Sequence, residues 1–428
     1  MLSSVSPAPS PAYARYVLGV MFALTALNVM DRQVLSALAE PVKQEFGLSD
    51  LEMGVLLGSA FGFAHVVAMV PAGRLADRWS RRNVLGGGLF LWSALTSLTG
   101  LSQATWHLFS ARVGVATGET VGSGPAQSLL ADYFPVERRG GALSIHASGG
   151  TFGAMIGAAL GAALGEAVGW RWTFVFFGIP GLALAGLLIA TVREPTRGAV
   201  DGLEIQGPAP PFVVVLRRLA GLPTFRHVVV AGSLNCLANY ALLAWAAAAM
   251  MRGHGLSLAE AGTRLGFYVI LISALGVIAA GLIADRLGRR DLRWYLWWPS
   301  IASVGAFPFL AAFLVLPDPD VAFLVAIPGA FLNTMWVGTF NATVHMLAGP
   351  TTRATSSALF AMITSGLVGQ GLGPPIVGFL SDRWTPAYGD DALRYALAAA
   401  LGASVWAGAH GLLAARTLER DRFTVNES

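Results

Sequence analysis

Apolar and polar positions along the chain fall into twelve apolar runs of about 20 residues or more, divided by short polar breaks. The runs cover 14–35, 52–76, 83–101, 106–131, 140–166, 171–192, 225–250, 258–284, 292–316, 320–347, 354–381 and 392–415. At a helical rise of about 1.5 Å per residue, each is long enough to cross a hydrocarbon layer of about 30 Å. Hydrocarbon cannot satisfy exposed backbone N–H and C=O groups, so the runs predict helices and an all-α membrane protein. A Pro- and Gly-rich interruption beginning at Arg193 separates six runs from six. The expected organisation is a disordered segment 1–13, a six-helix bundle 14–192, a cytoplasmic linker 193–224, a second six-helix bundle 225–415 and a cytoplasmic tail 416–428.

Composition agrees: only 12% of the 428 residues are charged and 55% are hydrophobic, against about a quarter charged in a soluble domain. The basic balance does not point to nucleic acid, because the arginines sit at the ends of runs and are not interleaved with exposed aromatics. A single cysteine, Cys236, excludes an intramolecular disulfide and a cysteine-based metal cage, and no metal site is expected. With both termini inside, the cytoplasmic segments carry most of the basic residues, among them Arg15, Arg138, Arg139, Arg353 and Arg416. The other side holds Arg32, Lys43, Arg171, Arg252, Arg264, Arg383 and Arg394, and Arg112 belongs to neither. Because Lys and Arg are retained on the cytoplasmic side, this favours an N-in, C-in protein of the bacterial cytoplasmic membrane.

The two halves echo each other. Gly73-Arg-Leu-Ala-Asp77-Arg78-Trp-Ser-Arg81-Arg82 after the second run recurs as Gly281-Leu-Ile-Ala-Asp285-Arg286-Leu-Gly-Arg289-Arg290 after the eighth. Two pseudo-symmetric bundles of the same topology are the parallel-repeat plan of one large class of secondary transporters.

At this repeated element the chain resembles the major facilitator superfamily, whose signature between helices 2 and 3 has the form Gly-x-x-x-Asp-Arg-x-Gly-Arg-Arg. The first copy departs from it at Ser80. Within that superfamily the first half resembles bacterial Spinster-type transporters at Asn28-Val-Met-Asp31-Arg-Gln-Val-Leu, at Arg112-Val-Gly-Val-Ala-Thr-Gly-Glu119 and at Ala131-Asp-Tyr-Phe-Pro-Val-Glu-Arg138. Thr120 stands where that family has a small residue. Organic-anion symporters share an Arg with Gly-x-Glu in the fourth helix and Gly-Trp-Arg-Trp like that at 169–172. The Spinster resemblance implies a lysophospholipid-like or sphingoid-phosphate-like cargo moved with protons. The symporter motifs leave small organic or aromatic carboxylates open, and multidrug efflux stands beside them.

The chemistry is expected at Asp31, Arg112 and Glu119, three ionisable residues inside otherwise apolar runs. A charge at the bilayer centre costs about 2.5–3.5 kcal/mol even on permissive scales, so such residues face the bundle interior and serve a function. Arg112 and Glu119 are seven apart, close to two turns, and share one helix face. Burial favours the neutral form of a carboxylate and a guanidinium beside it favours the charged one. Asp31 and Glu119 are therefore read as proton carriers and Arg112 as the group that holds an anionic headgroup, protons being the coupling ion and no cofactor being needed. The alternative is a permanent ion-pair network that only locks helices together.

The clusters Gly73, Asp77, Arg78, Arg81, Arg82 and Asp285, Arg286, Arg289, Arg290 anchor helix ends, and the superfamily resemblance implies that they also gate. Asn235, Asn239, Tyr240 and Trp245 in the seventh run and Trp336 and Asn341 in the tenth are candidates for the polar lining of a cavity. Glycines from Gly149 through Gly153, Gly157 and Gly161 form a close-packing face, and Pro374-Pro375 should bend the eleventh helix. Motifs for a metalloprotease, a serine hydrolase and a phosphate-binding loop are absent from the sequence. The expected partners are the bilayer and a small amphiphile, with one chain supplying both halves.

Overall fold

The structure, a computed structural model, describes residues 10–122, 124–195, 212–348 and 352–422. The chain forms two compact units, Met1–Leu35 with Ala64–Gly207, and Ser36–Phe63 with Pro208–Ser428. Among the described residues, eight helical stretches are long and apolar enough to cross a membrane, and two of them, Arg138–Thr191 and Thr355–Asp421, have length for two crossings each. The third and fourth runs complete the twelve.

In the first unit lie α1 (Pro11–Ala37) as far as Leu35, the part of α4 (Ser59–Arg78) from Ala64, α5 (Arg81–Thr99), α6 (Thr105–Glu119), α7 (Gly124–Ala131) and α8 (Val136–Thr191). Helix α1 starts at Pro11, earlier than the 14 expected, because Pro suits a first turn and Ser10 Oγ accepts from the Tyr13 N–H. The fifth and sixth runs join into α8 across a kink at Gly169, whose φ of 81° is open to glycine. The glycine face of α8 lies on the α1 backbone. A Cβ at Gly149 would stand 2.5 Å from Phe22 O, and one at Gly157 2.5 Å from Met30 O.

The second unit begins with the end of α1, α2 (Ala39–Phe46), α3 (Asp50–Leu57) and the start of α4. It continues with α9 (Phe212–Gly221), α10 (Pro223–His254), α11 (Leu258–Arg264), a π-helical stretch Leu265–Leu271 and α12 (Ile272–Gly288). Then follow α13 (Trp294–Val315), α14 (Pro319–Asn333), α15 (Trp336–Leu347), α16 (Arg353–Ala361), a π-helical stretch Met362–Gln370, α17 (Gly371–Tyr388), α18 (Ala392–Leu401) and α19 (Ala403–Asp421). Helix α9 falls inside the segment expected to be linker.

The repeat extends to helix punctuation. Gly47 ends α2 in the left-handed region at φ 63°, and Ser49 with Glu52 forms a capping box on α3. At the same offset as the basic motif, Gly255 ends α10 at φ 65°, and Ser257 with Glu260 caps α11. Each box satisfies two N–H groups that a helix start otherwise leaves without partners.

Segment Ser36–Phe63 is held in the second unit by charge and by close packing. Arg252 donates to Glu40 Oε2 at 2.7 and 2.9 Å and to both oxygens of Asp50 at 2.8 and 2.9 Å. Lys43 also reaches Asp50, at 2.6 Å. The Asp382 carboxylate accepts from the N–H groups of Asp50 and Leu51 at 2.9 and 2.8 Å, capping α3 from another helix.

Pro374-Pro375 do not break α17. Pro375 has no N–H for the carbonyl of Gly371 one turn earlier, and Ser59 Oγ donates to that carbonyl at 2.6 Å instead. The preceding turns have widened into the π-helical stretch.

Candidate functional site

Polar and charged residues of three helices in the first unit meet in its interior, the charges coming from α1 and α6. Asn28, Asp31 and Arg32 come from α1, Thr96 from α5, and Arg112 and Glu119 from α6. Asp31, Arg112 and Glu119 are 4%, 7% and 1% exposed, too little for water to screen them. Arg32 Nε donates to Glu119 Oε2 at 2.6 Å while its Nη2 donates to Asn28 Oδ1 at 2.9 Å. Thr96 Oγ1 donates to Asp31 Oδ2 at 3.3 Å. Asp31, Glu119, Arg112 and Arg32 all lie within electrostatic reach of one another. Two carboxylates and two guanidiniums balance in formal charge. Asp31 Oδ1 and Glu119 Oε1 are buried with no hydrogen-bond partner among the described residues, a costly state for a charged oxygen.

The three residues expected from the sequence are thus brought together. Arg32 departs from the outer-face position that its place in the sequence predicts: it pairs with Glu119 with only 22% of its side chain exposed. One turn separates it from Asn28, and this i, i+4 pair was the signal available in the sequence. Beside the cluster, His65 of α4 meets Thr120 Oγ1 at 3.2 Å, at the end of α6.

The polar set of the second unit divides. Asn333 Nδ2 donates to Asn239 Oδ1 at 3.1 Å, and Tyr240 shares a 2.8 Å hydrogen bond with Ser365. Asn235 and the Trp336 indole N–H, next to the break between α14 and α15, are buried with no hydrogen-bond partner among the described residues. Ser357 donates to Asn341 Oδ1 at 2.9 Å. Trp245 is fully buried and donates to Pro374 O at 2.9 Å, bridging α10 and α17.

Of the basic motifs, Arg81 is buried, donating to Asp132 at 2.5 Å, to Glu194 at 2.8 Å and to the carbonyls of Ser128 and Pro195. The Arg82 N–H donates to Glu194 Oε2 at 2.8 Å. Glu194 lies beyond α8. Burial alone would raise its carboxyl, but the Arg82 N–H, the Arg81 guanidinium and the Ser80 hydroxyl outweigh that and hold it below the usual range. The side chain of Asp77 lies outside the described ones. Gly73 and Arg78 are exposed on α4. In the second motif Asp285 accepts from the Tyr295 hydroxyl at 2.6 Å; Arg286 closes α12 and Arg289 and Arg290 follow it.

The model of the Major Facilitator Superfamily matches residues 21–374. An MFS-type efflux pump of Mycolicibacterium smegmatis is 32% identical over 408 residues, 93% of this chain and 92% of that protein. Protein spinster homolog 1 of Homo sapiens is 27% identical, covering 96% of this chain and 83% of that one. Among solved structures, a bacterial homologue of the human lysosomal transporter Spinster, crystallised in an inward-facing and unoccupied conformation, superposes with a TM-score of 0.88. It is 27% identical, and the match covers 97% of this chain and 100% of that one.

Proposed function

The chain belongs to the major facilitator superfamily, and from that membership we propose that it is a proton-coupled secondary transporter of an amphiphilic anion or zwitterion, a lysophospholipid or sphingoid phosphate. It is a transporter and not an enzyme. It sits in a bacterial cytoplasmic membrane with both termini inside, and one chain carries out the full alternating-access cycle.

The observation that carries this reading is the buried, charge-balanced cluster of Asp31, Arg32, Arg112 and Glu119. A headgroup that engages Arg112 withdraws positive charge from two carboxylates that cannot turn to water. Leaving a buried charge uncompensated costs about 3–5 kcal/mol, so the site regains neutrality by taking up a proton. Arg32 stays with Glu119 and holds it in place, and Asp31, which has an oxygen without a hydrogen bond, is the first acceptor. Cargo and proton are then coupled through a single charge. The similarity to Spinster proteins supports the lipid class. A second reading, efflux of amphiphilic drugs, is favoured by the relative described as an efflux pump.

The experiment is uptake into proteoliposomes of a panel containing lysophosphatidylethanolamine, sphingosine 1-phosphate, an aromatic carboxylate and a cationic dye, each with and without an imposed pH gradient. Gradient-dependent movement of one of the two lipids, abolished in Asp31→Asn and in Arg112→Gln, is expected. Movement of only the carboxylate or the dye would overturn the lipid assignment.

A further inference from the structure

Independent of the transport site, the second unit holds a small cavity of about 210 Å³ where the ends of α15 and α19 and the starts of α13 and α16 converge. Its walls include Leu292, His345, Met346, Arg353, Leu418 and Arg422. Among the described residues of that lining, every ionisable group is cationic or basic. Glu419, three residues before Arg422 and in the last turn of α19, meets that guanidinium at 3.3 Å with both side chains about half exposed, so the pair contributes little and the guanidinium can turn inward. Arg353 is the first residue of α16, a nine-residue helix, so its charge adds to the positive end of a helix dipole. His345 Nε2 lies 2.6 Å from Ser357 Oγ, and Ser357 gives its own proton to Asn341. That fixes the ring as donor at Nε2 and holds it in the wall.

We propose that this cavity binds the phosphate of a membrane phospholipid. Two guanidiniums, one at the start of α16 and one just past the end of α19, suit the oxygens of a phosphate ester, and Leu292, Met346 and Leu418 exclude water behind it. The lipid source is indicated by α9, which packs against α10 and α16. Its Val215 and Leu219 are buried, while Phe212, Val213 and Val214 are 41%, 60% and 57% exposed. Arg217 and Arg218 follow on its exposed side. An amphipathic helix with bare apolar residues next to arginines is suited to a bed of acyl chains and anionic headgroups. Cavity and helix together form a docking surface for one anionic lipid at the end of the unit that carries the second basic motif.

Native mass spectrometry of the full chain, released from nanodiscs of equal phosphatidylglycerol and phosphatidylcholine, tests this. The unaltered protein should retain phosphatidylglycerol preferentially. Arg353→Gln with Arg422→Gln should lower that retention by about tenfold, and Arg264→Gln, at an arginine that pairs with Asp320 and is in neither site, should leave it unchanged. A second arm titrates inorganic phosphate into detergent-purified protein. Saturable phosphate binding that the double variant loses, without a lipid preference, would keep the site and assign it to a soluble phosphate. Equal lipid retention and equal phosphate binding in the two proteins would overturn the site. If the double variant fails to fold, the exposed single change Arg353→Gln is measured instead, and retention equal to that of the unaltered protein would be equally decisive.

Discussion

A carboxylate enclosed among helices keeps its charge only while a cation stays beside it, and for Glu119 that cation is Arg32 at 2.6 Å. Arg32→Ala is therefore expected to cut gradient-driven transport by at least about tenfold, the cost of an uncompensated buried charge being several kcal/mol. Arg32→Lys should keep part of it. Initial uptake rates in proteoliposomes measure both, and full activity of Arg32→Ala would remove Arg32 from the mechanism. Asp31, Arg112 and Glu119 were legible in the sequence because each interrupts an apolar run, and such interruptions are expensive enough to be rare. Arg32 was not: it adjoins Asp31, about 100° round the helix, and arginine near the end of a run reads first as a topology marker. The structure places both neighbours in one cluster because the long Arg32 side chain reaches back toward Asn28.

Interruptions within helices carry much of the packing. Ser59 answers for the N–H that Pro375 lacks, so Ser59→Ala should lower stability by about 1 kcal/mol, the usual value of one hydrogen bond. No shift in thermal unfolding for Ser59→Ala would contradict the role. Asp382→Ala should cost about 1–2 kcal/mol by removing the cap from α3. At the other kind of helix end, Glu194 is held below its unfolded value. Its stabilisation is thus complete above about pH 4.3, the reference for glutamate, and disappears as pH falls through the lower folded value. Melting curves stepped downward from pH 7 should fall more steeply for the unaltered protein than for Glu194→Gln; parallel curves would argue against it. The twelve runs were readable from apolar length alone. The breaks inside them at Gly58 and Thr334, the π-helical stretch Met362–Gln370 and helix α9 were not, because their neighbours are distant in sequence: the Gln370 carbonyl beside Gly58, the Ser273 carbonyl that accepts from Thr334, Tyr240 on Ser365, and α16 against α9.

At the scale of the molecule, the repeat was visible in the basic motifs, and the matching Gly-Leu-Ser boxes at 47–52 and 255–260 would have strengthened it. Sequence could not say that Ser36–Phe63 groups with the second unit, since Arg252, Glu40 and Asp50 meet across more than two hundred residues. Arg252→Gln should therefore destabilise the second unit by about 3 kcal/mol, as when one partner of a buried pair is removed, read as a lower melting temperature. In the proposed mechanism transport rests on a different linkage, in which cargo at Arg112 draws a proton onto a carboxylate of the first unit. The most direct measurement is proton uptake by the purified protein, followed with a pH indicator in weakly buffered detergent as lysophospholipid is added. About one proton should be taken up per ligand bound, and this uptake should be lost in Asp31→Asn while binding persists. Ligand binding with no proton uptake in the unaltered protein would contradict this linkage.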